Sequence, residues 1–244
     1  MGPAGTQLVL LMVRSAQEYQ TSALRYLRGG HVDGALFVSM HGRHPIDLDR
    51  VSVPVVFCGC PVGTDPENLS YVDADNRGGA ERAVRYLVES GRQVIATVAG
   101  PQDMKPGVDR LDGYRAALTD AGRFDPRLVV YGDFGQASGD HAVHRLLERR
   151  PDVDAVFVAS DLMAVGALRA LRRSGRRVPD DVAVIGFDDS PIARQTEPPL
   201  TTVRQPIEEM GSRMVRELLT MIRTGAPNGR RVVLDTELVV RDST

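Results

Sequence analysis

Short apolar runs alternate along this chain with stretches whose apolar residues recur every three or four positions. The runs are Leu8–Val13, Ala35–Ser39, Val53–Cys58, Val94–Ala99, Leu128–Tyr131, Ala155–Ala159 and Val182–Phe187. Most are apolar throughout rather than alternating, the pattern of strands buried on both faces of a parallel sheet. Between them, Tyr19, Ala23, Tyr26 and Leu27 lie at helical spacing and stop at Gly29-Gly30. Ala80, Ala83, Val84, Leu87 and Val88 stop at Gly91, and Met163, Ala167, Ala170 and Leu171 stop at Gly175. Ile207, Met210, Met214, Leu218 and Met221 stop at Gly225. Strand–helix alternation of this kind builds right-handed βαβ units. A first series runs to about Gly100 and a second to about Arg204. A helix and the run "RRVVLDTELVVRDS" follow both. Two doubly wound lobes explain that order: residues 1–99 plus 206–228 in an N-terminal lobe, and 100–205 plus 229–244 in a C-terminal lobe. Ligands of such sheets bind beyond the carboxyl ends of the strands, so two lobes facing each other make a cleft.

The 244 residues, 42% hydrophobic and 25% charged, suit a globular protein. No apolar run approaches the roughly 20 residues of a membrane span, and the N-terminal segment does not read as a signal peptide. The expected location is cytoplasmic. A formal net charge of −2 argues against nucleic-acid binding by these residues alone. Lys105 is the sole lysine, which restricts lysine chemistry to one position. The two cysteines, Cys58 and Cys60, read as reduced strand-end thiols. His141 and His144, and His41 and His44, read as solvated positions, and the expectation is no metal and no cofactor.

Polar groups collect where strands end. Arg110 follows the strand 94–99 in the first turn of a helix, and Phe134 follows 128–131. Ser160 and Asp161 close 155–159, and Asp188-Asp189 close 182–187. Asp75-Asn76 precede another helix. Carboxylates accept from neighbouring hydroxyls, a guanidinium donates in a fork, and an aromatic ring covers an apolar sugar face, so the set suits a polyhydroxylated ligand. Each group also has a plainer role. Asp161 serves equally as a helix N-cap, Arg110 could pair with Asp109 or Asp112, and Phe134 could be core. Hydrolase and nucleotide motifs such as G-x-S-x-G, H-E-x-x-H and G-x-G-x-x-G are absent, and an enzyme is not expected.

The stretches "YVDADNRGGAERAVRYLVESGR", "VAGPQDMKPGVDRLDGYRAAL", "VFVASDLMAVGALRAL" and "RRVPDDVAVIGFDDSPIARQTEPPLTTVRQP" resemble the effector-binding core of the LacI/GalR transcription regulators. The resemblance runs from about Gly5 to the C-terminus. It implies an α/β fold of periplasmic-binding-protein type I with three crossovers, and a small-molecule effector, a sugar or related polar molecule. It also implies a homodimer formed through lobe helices, and operator DNA bound only through a headpiece. By the same resemblance the ligand-binding residues are Arg110, Asp188, Phe134, Ser160, Asp161, Asp75 and Gln205, with Asp189 facing away and fixing its loop. A headpiece and a first β-α unit have no counterpart here, so the N-terminal lobe is expected to be incomplete. The competing reading is a solute-binding protein of a sugar transporter.

Overall fold

The computed structural model describes residues 7–12, 18, 23–38, 51–61, 69–225 and 229–244. Two sheets are formed by the described residues. Strands β1 (Ala35–Phe37), β2 (Val55–Cys58), β3 (Tyr71–Ala74) and β9 (Arg231–Leu234) form a parallel four-stranded sheet in the order β1-β2-β3-β9. Strands β4 (Ile95–Ala99), β5 (Val129–Tyr131), β6 (Ala155–Val158), β7 (Ala183–Asp188), β8 (Thr201–Arg204) and β10 (Glu237–Val239) form a second sheet in the order β10-β8-β7-β6-β4-β5. Only β10 is antiparallel to its neighbour. The helices are α1 (Leu24–Arg28), α2 (Asn76–Glu89), α3 (Lys105–Asp120), α4 (Gln136–Arg149), α5 (Asp161–Arg173) and α6 (Ile207–Thr224).

Alternation along the central strands divides the second sheet's core in two. Ile95, Ala99, Phe157, Ile185 and Phe187 pack beneath α2 and α3, whereas Ala96, Val98, Val156, Val158 and Val184 pack beneath α4 and α5. Both faces are covered, which is why these strands read as unbroken apolar runs. On the first sheet, Met210, Met214 and Met221 of α6 pack against Val56, Val72 and Ala74. The methionine stripe is helix packing, although Ile207, at its start, lies 57% exposed.

Among the described residues the chain passes between the sheets three times: after β3, after β8, and between β9 and β10. These crossings differ from the expected boundaries. The hydrogen bonds of β4 run to β5 and β6, so residues 95–99 belong to the second sheet, and α2 packs there against α3. Residues 231–234, expected in the C-terminal lobe, pair with β3 in the first sheet. Periodicity identifies a buried strand but not the sheet that takes it. Four strands, β3, β8, β9 and β10, are not among the apolar runs read from the sequence. Tyr71–Ala74 is too short and too acidic to stand out, since Asp73 interrupts its apolar run.

The expected strand Leu8–Val13 is not formed over its described part. Residues 7–12 are irregular, with Leu8 88% and Leu10 82% exposed, and no described strand pairs with them. Apolar character cannot hold an extended segment without a neighbour to take its N–H and C=O groups. Tyr19, Val13, Ser39, His41 and His44 lie outside the described residues.

Candidate functional site

At the carboxyl edge of the second sheet, α3 and β7 bring Arg110 against Asp188. Arg110 lies in the second turn of α3 rather than the first, and is 4% exposed. Its Nη1 donates to Asp188 Oδ1 at 3.1 Å and to the Ala159 carbonyl at 2.6 Å, and its Nε donates to Asn76 Oδ1 at 2.9 Å. The guanidinium carbon stands 3.7 Å from the centre of the Phe187 ring and 5.8 Å from that of Phe134, within cation–π range. Asp109 and Asp112 pair instead with Lys105 and Arg115. Gln205 completes the group, its Nε2 donating to Asp188 Oδ1 at 2.7 Å. Arg110, Phe134, Asp188 and Gln205 therefore share one neighbourhood, although the chain separates them by up to 95 positions.

The site is bonded to two of the three crossings. Asn76 begins α2 just after β3, and Gln205 follows β8 on the way to α6. Asp73 holds Asn76 in turn: its Oδ1 accepts from Asn76 Nδ2 at 3.0 Å and from the Ala74 N–H at 2.8 Å. Asp73 is 8% exposed, and burial raises its carboxyl above the ordinary value. Asp73 was not singled out from the sequence, and Asn76 was noted only as preceding a helix. The available signal was an acid inside an otherwise apolar strand, which needs a buried partner.

The neighbouring acid, Asp75, does other work. It is the N-cap of α2, accepting from the Gly78 N–H at 2.8 Å, and its second oxygen meets Arg82 at 3.2 Å. Nothing links it to Arg110. The contacts Asp75 makes here are structural ones, because the first turn of a helix needs an acceptor for its free N–H groups.

Phe134 and the acid pair adopt backbone that side chains avoid: φ is 68° at Phe134, 121° at Asp188 and 52° at Asp189. Each such residue costs about 1–3 kcal/mol unless its surroundings impose it. Gly100 makes room for Phe134, since a Cβ there would lie 2.4 Å from Cε1 of the ring. Asp188 remains about one-third exposed while Arg110 is buried, so the pair has one open side. Burial pushes the Asp188 carboxyl up against the pull of Arg110 and Gln205. Asp189 points elsewhere. Its side chain is 2% exposed and takes hydrogen bonds from Arg204, at 2.7 Å, and Arg241, with Arg194 at 3.6 Å. Burial raises its carboxyl, but those bonds outweigh it and hold the group below its ordinary value.

Ser160, not Asp161, caps α5. Its Oγ accepts from the Met163 N–H at 3.2 Å and donates to the Phe134 carbonyl at 3.4 Å. Asp161 is fully buried, and its carboxylate is engaged by Ser190 and Thr202. Burial, with the nearby Asp188 charge, raises that carboxyl to about 6 against the opposing bonds from Thr202 and Ser190. Cys58 and Cys60 are free, their thiols pushed up by burial.

A separate surface pocket of about 500 Å³ is lined by Leu168, Arg172, Arg176, Val178 and Pro198, at the far end of α5 from Asp161. Its cations are already engaged: Arg172 bonds the Glu197 carbonyl, Arg176 the Pro151 carbonyl and Arg177 the Asp181 carboxylate. Among the described residues no helix is long and apolar enough to cross a membrane.

A family of periplasmic binding protein-like domains matches residues 84–244. The HTH-type transcriptional regulator CelR of Thermobifida fusca is 52% identical over 242 residues, covering 98% of this chain and 71% of that protein. The HTH-type transcriptional repressor CytR of Escherichia coli is 38% identical over 177 residues, covering 72% and 52%. Among solved structures, a transcriptional regulator CelR–cellobiose complex superposes with a TM-score of 0.91 at 52% identity, over 95% of this chain and 71% of that one. A LacI-family regulatory protein from Chloroflexus aggregans superposes with a TM-score of 0.83 at 33% identity, over 94% and 83%. Fold, crossing pattern and these similarities lead to one conclusion: the chain belongs to the LacI family of transcriptional regulators and comprises the effector-binding core of such a regulator.

Proposed function

We propose that the effector is a β-linked glucose disaccharide of the cellobiose type, read by Arg110, Asp188 and Gln205 with the Phe134 ring as an apolar platform. The Arg110–Asp188 pair carries this reading. It is a preformed donor and acceptor set, open on one side and bonded through Asn76 and Gln205 to two chain crossings. The cellobiose-bound structure of a protein 52% identical to this chain supports the choice of sugar. A sugar held here with different affinity in two arrangements of the sheets shifts their equilibrium by that difference. In the reading proposed, the regulator is a cytoplasmic homodimer, and the shift repositions its operator-binding modules on DNA.

The site binds without turnover. Glycoside hydrolysis needs two carboxyl groups facing one bond across about 5–9.5 Å. Of the acids nearest Asp188, Asp189 is enclosed by arginines and Asp161 by hydroxyl and amide donors. Calorimetric titration with cellobiose, maltose and glucose tests the proposal. Cellobiose should bind in preference to the others, and Arg110→Ala should weaken it by about 1–3 kcal/mol, roughly 5–150-fold, since the change takes the donor from the Ala159 carbonyl and Asn76 and leaves Asp188 with Gln205 alone. An unchanged affinity in Arg110→Ala removes this pair from the effector site.

A further inference from the structure

The Asp161 side chain accepts three hydrogen bonds and is fully buried. Its Oδ2 accepts from the Ser190 N–H at 2.7 Å and the Ser190 hydroxyl at 3.0 Å. Its Oδ1 accepts from the Thr202 hydroxyl at 2.6 Å. Ser190 directly follows the two residues with left-handed backbone, Asp188 and Asp189. Thr202 lies on β8 beside β7, paired with Gly186. That glycine is where the carboxylate comes closest: a Cβ on Gly186 would stand 2.4 Å from Asp161 Oδ1. The strand thus leaves space for the acid at one position, and the acid seizes the turn that follows it.

We infer that Asp161 is a positioning residue, not an effector contact: through Ser190 and Thr202 it imposes the left-handed Asp188–Asp189 turn and so aims the Asp188 carboxylate at Arg110 and the ligand. Two adjacent non-glycine residues with positive φ relax unless something fixes the chain on both sides of them. Asp189 is fixed by Arg204 and Arg241, and Ser190 by Asp161. The acid therefore acts on affinity through geometry. This inference rests on the reading of Arg110–Asp188 as the effector site.

Two paired substitutions separate it from a general loss of stability. Thr202→Val keeps the buried volume and removes the hydroxyl, whereas Thr202→Ser keeps the hydroxyl and removes a buried methyl. Thr202→Val removes the 2.6 Å bond to Asp161 together with the longer one, 3.4 Å, that the hydroxyl accepts from the Asp189 N–H, and should weaken cellobiose binding about tenfold or more. Thr202→Ser should bind within about twofold of the parent, even where its melting temperature is the lower of the two. Affinities that instead follow melting temperature, or stay at the parent value in both variants while Asp188→Ala abolishes binding, overturn the inference. A second arm needs no sugar. In the unliganded protein, exchange of the Ser190 amide should quicken about tenfold or more in Asp161→Asn, and unchanged protection there also overturns it. Failure of the parent to bind cellobiose, with normal Ser190 protection lost in Asp161→Asn, would count against the effector proposal while leaving the positioning role standing.

Discussion

Asp189→Asn isolates the cost of breaking a buried charge cluster in this fold. Asp189 joins three segments that are distant in sequence: the turn at Arg194, the end of β8 at Arg204, and the C-terminal segment at Arg241. Asparagine keeps the shape and tolerates the left-handed backbone at φ 52°, so no strain is added. It offers one acceptor where the carboxylate offered two, and turns an NH2 group towards a guanidinium. Removing one member of a buried ion pair costs about 3–5 kcal/mol. Here the figure must be reduced, because Arg194 is 66% and Arg204 42% exposed and both rehydrate. Arg241 is 14% exposed and keeps its bond to the Leu200 carbonyl at 2.6 Å. The expected loss is about 2–3 kcal/mol. Urea denaturation followed by far-ultraviolet circular dichroism suits a chain without tryptophan. With a slope of about 2–3 kcal/mol/M the midpoint should fall by about 1 M. Asp180→Asn supplies the comparison. Its pair with Arg177 spans 3.4 Å between groups 64% and 70% exposed, and its loss should change stability by less than about 0.5 kcal/mol. If Asp189→Asn shifts the midpoint no more than Asp180→Asn does, burial of this carboxylate is not what holds the three segments together.

Other expectations follow from the same geometry. Gly100→Ala should drive the Phe134 ring from its place, given the 2.4 Å approach, and lower effector affinity while circular dichroism stays that of the parent; unaltered affinity would free the ring of any role in the site. Ser160→Ala should cost about 1 kcal/mol in thermal or chemical unfolding, the value of an N-cap, since it strips the Met163 N–H of its acceptor. Asp161 and Asp189 should respond to pH in opposite senses. Asp161, raised to about 6 in the fold against about 3.9 in the unfolded chain, favours the folded state progressively as pH falls from about 6 towards 4, and Asp161→Asn should lack that rise. Asp189, held below the ordinary value, contributes fully above about 4 and loses its contribution only as pH falls through its lower folded value. Unfolding midpoints measured between pH 3 and 8 for parent and both Asn variants check the two signs together.

Much of the architecture is legible in the order of residues. Unbroken apolar runs such as Ala155–Val158 and Ala183–Phe187 can be satisfied only inside a sheet covered on both faces, and both strands are fully buried there but for Asp188 at the end. Four of the described helices, α1, α2, α5 and α6, announce themselves through stripes that end at glycine, whereas α4 ends at Arg149 without one. That Arg110 and Asp188 belong to one site was implied by the family resemblance; the residues alone left Arg110 equally able to pair with Asp109 or Asp112.

Tertiary structure alone decided the rest. Asp73 and Asp75 are the same side chain two positions apart, yet one holds Asn76 beside Arg110 and the other caps a helix. Ser160 and Asp161 divide their work as cap and buried anchor, although either residue type can cap a helix. Nor does the pattern of β4 say which sheet it joins. The sequence by itself determined the central strands of the second sheet and the apolar faces of the striped helices, since those depend on neighbours within a few positions; it did not mark β3, and the strand expected at Leu8–Val13 is not formed over its described part. Which sheet takes a strand, and which of several equivalent carboxylates faces the ligand, depends on hydrogen bonds between residues 30 to 80 positions apart, such as Arg110 to Asn76 and to Asp188. Such partners are chosen only when the chain has closed on itself.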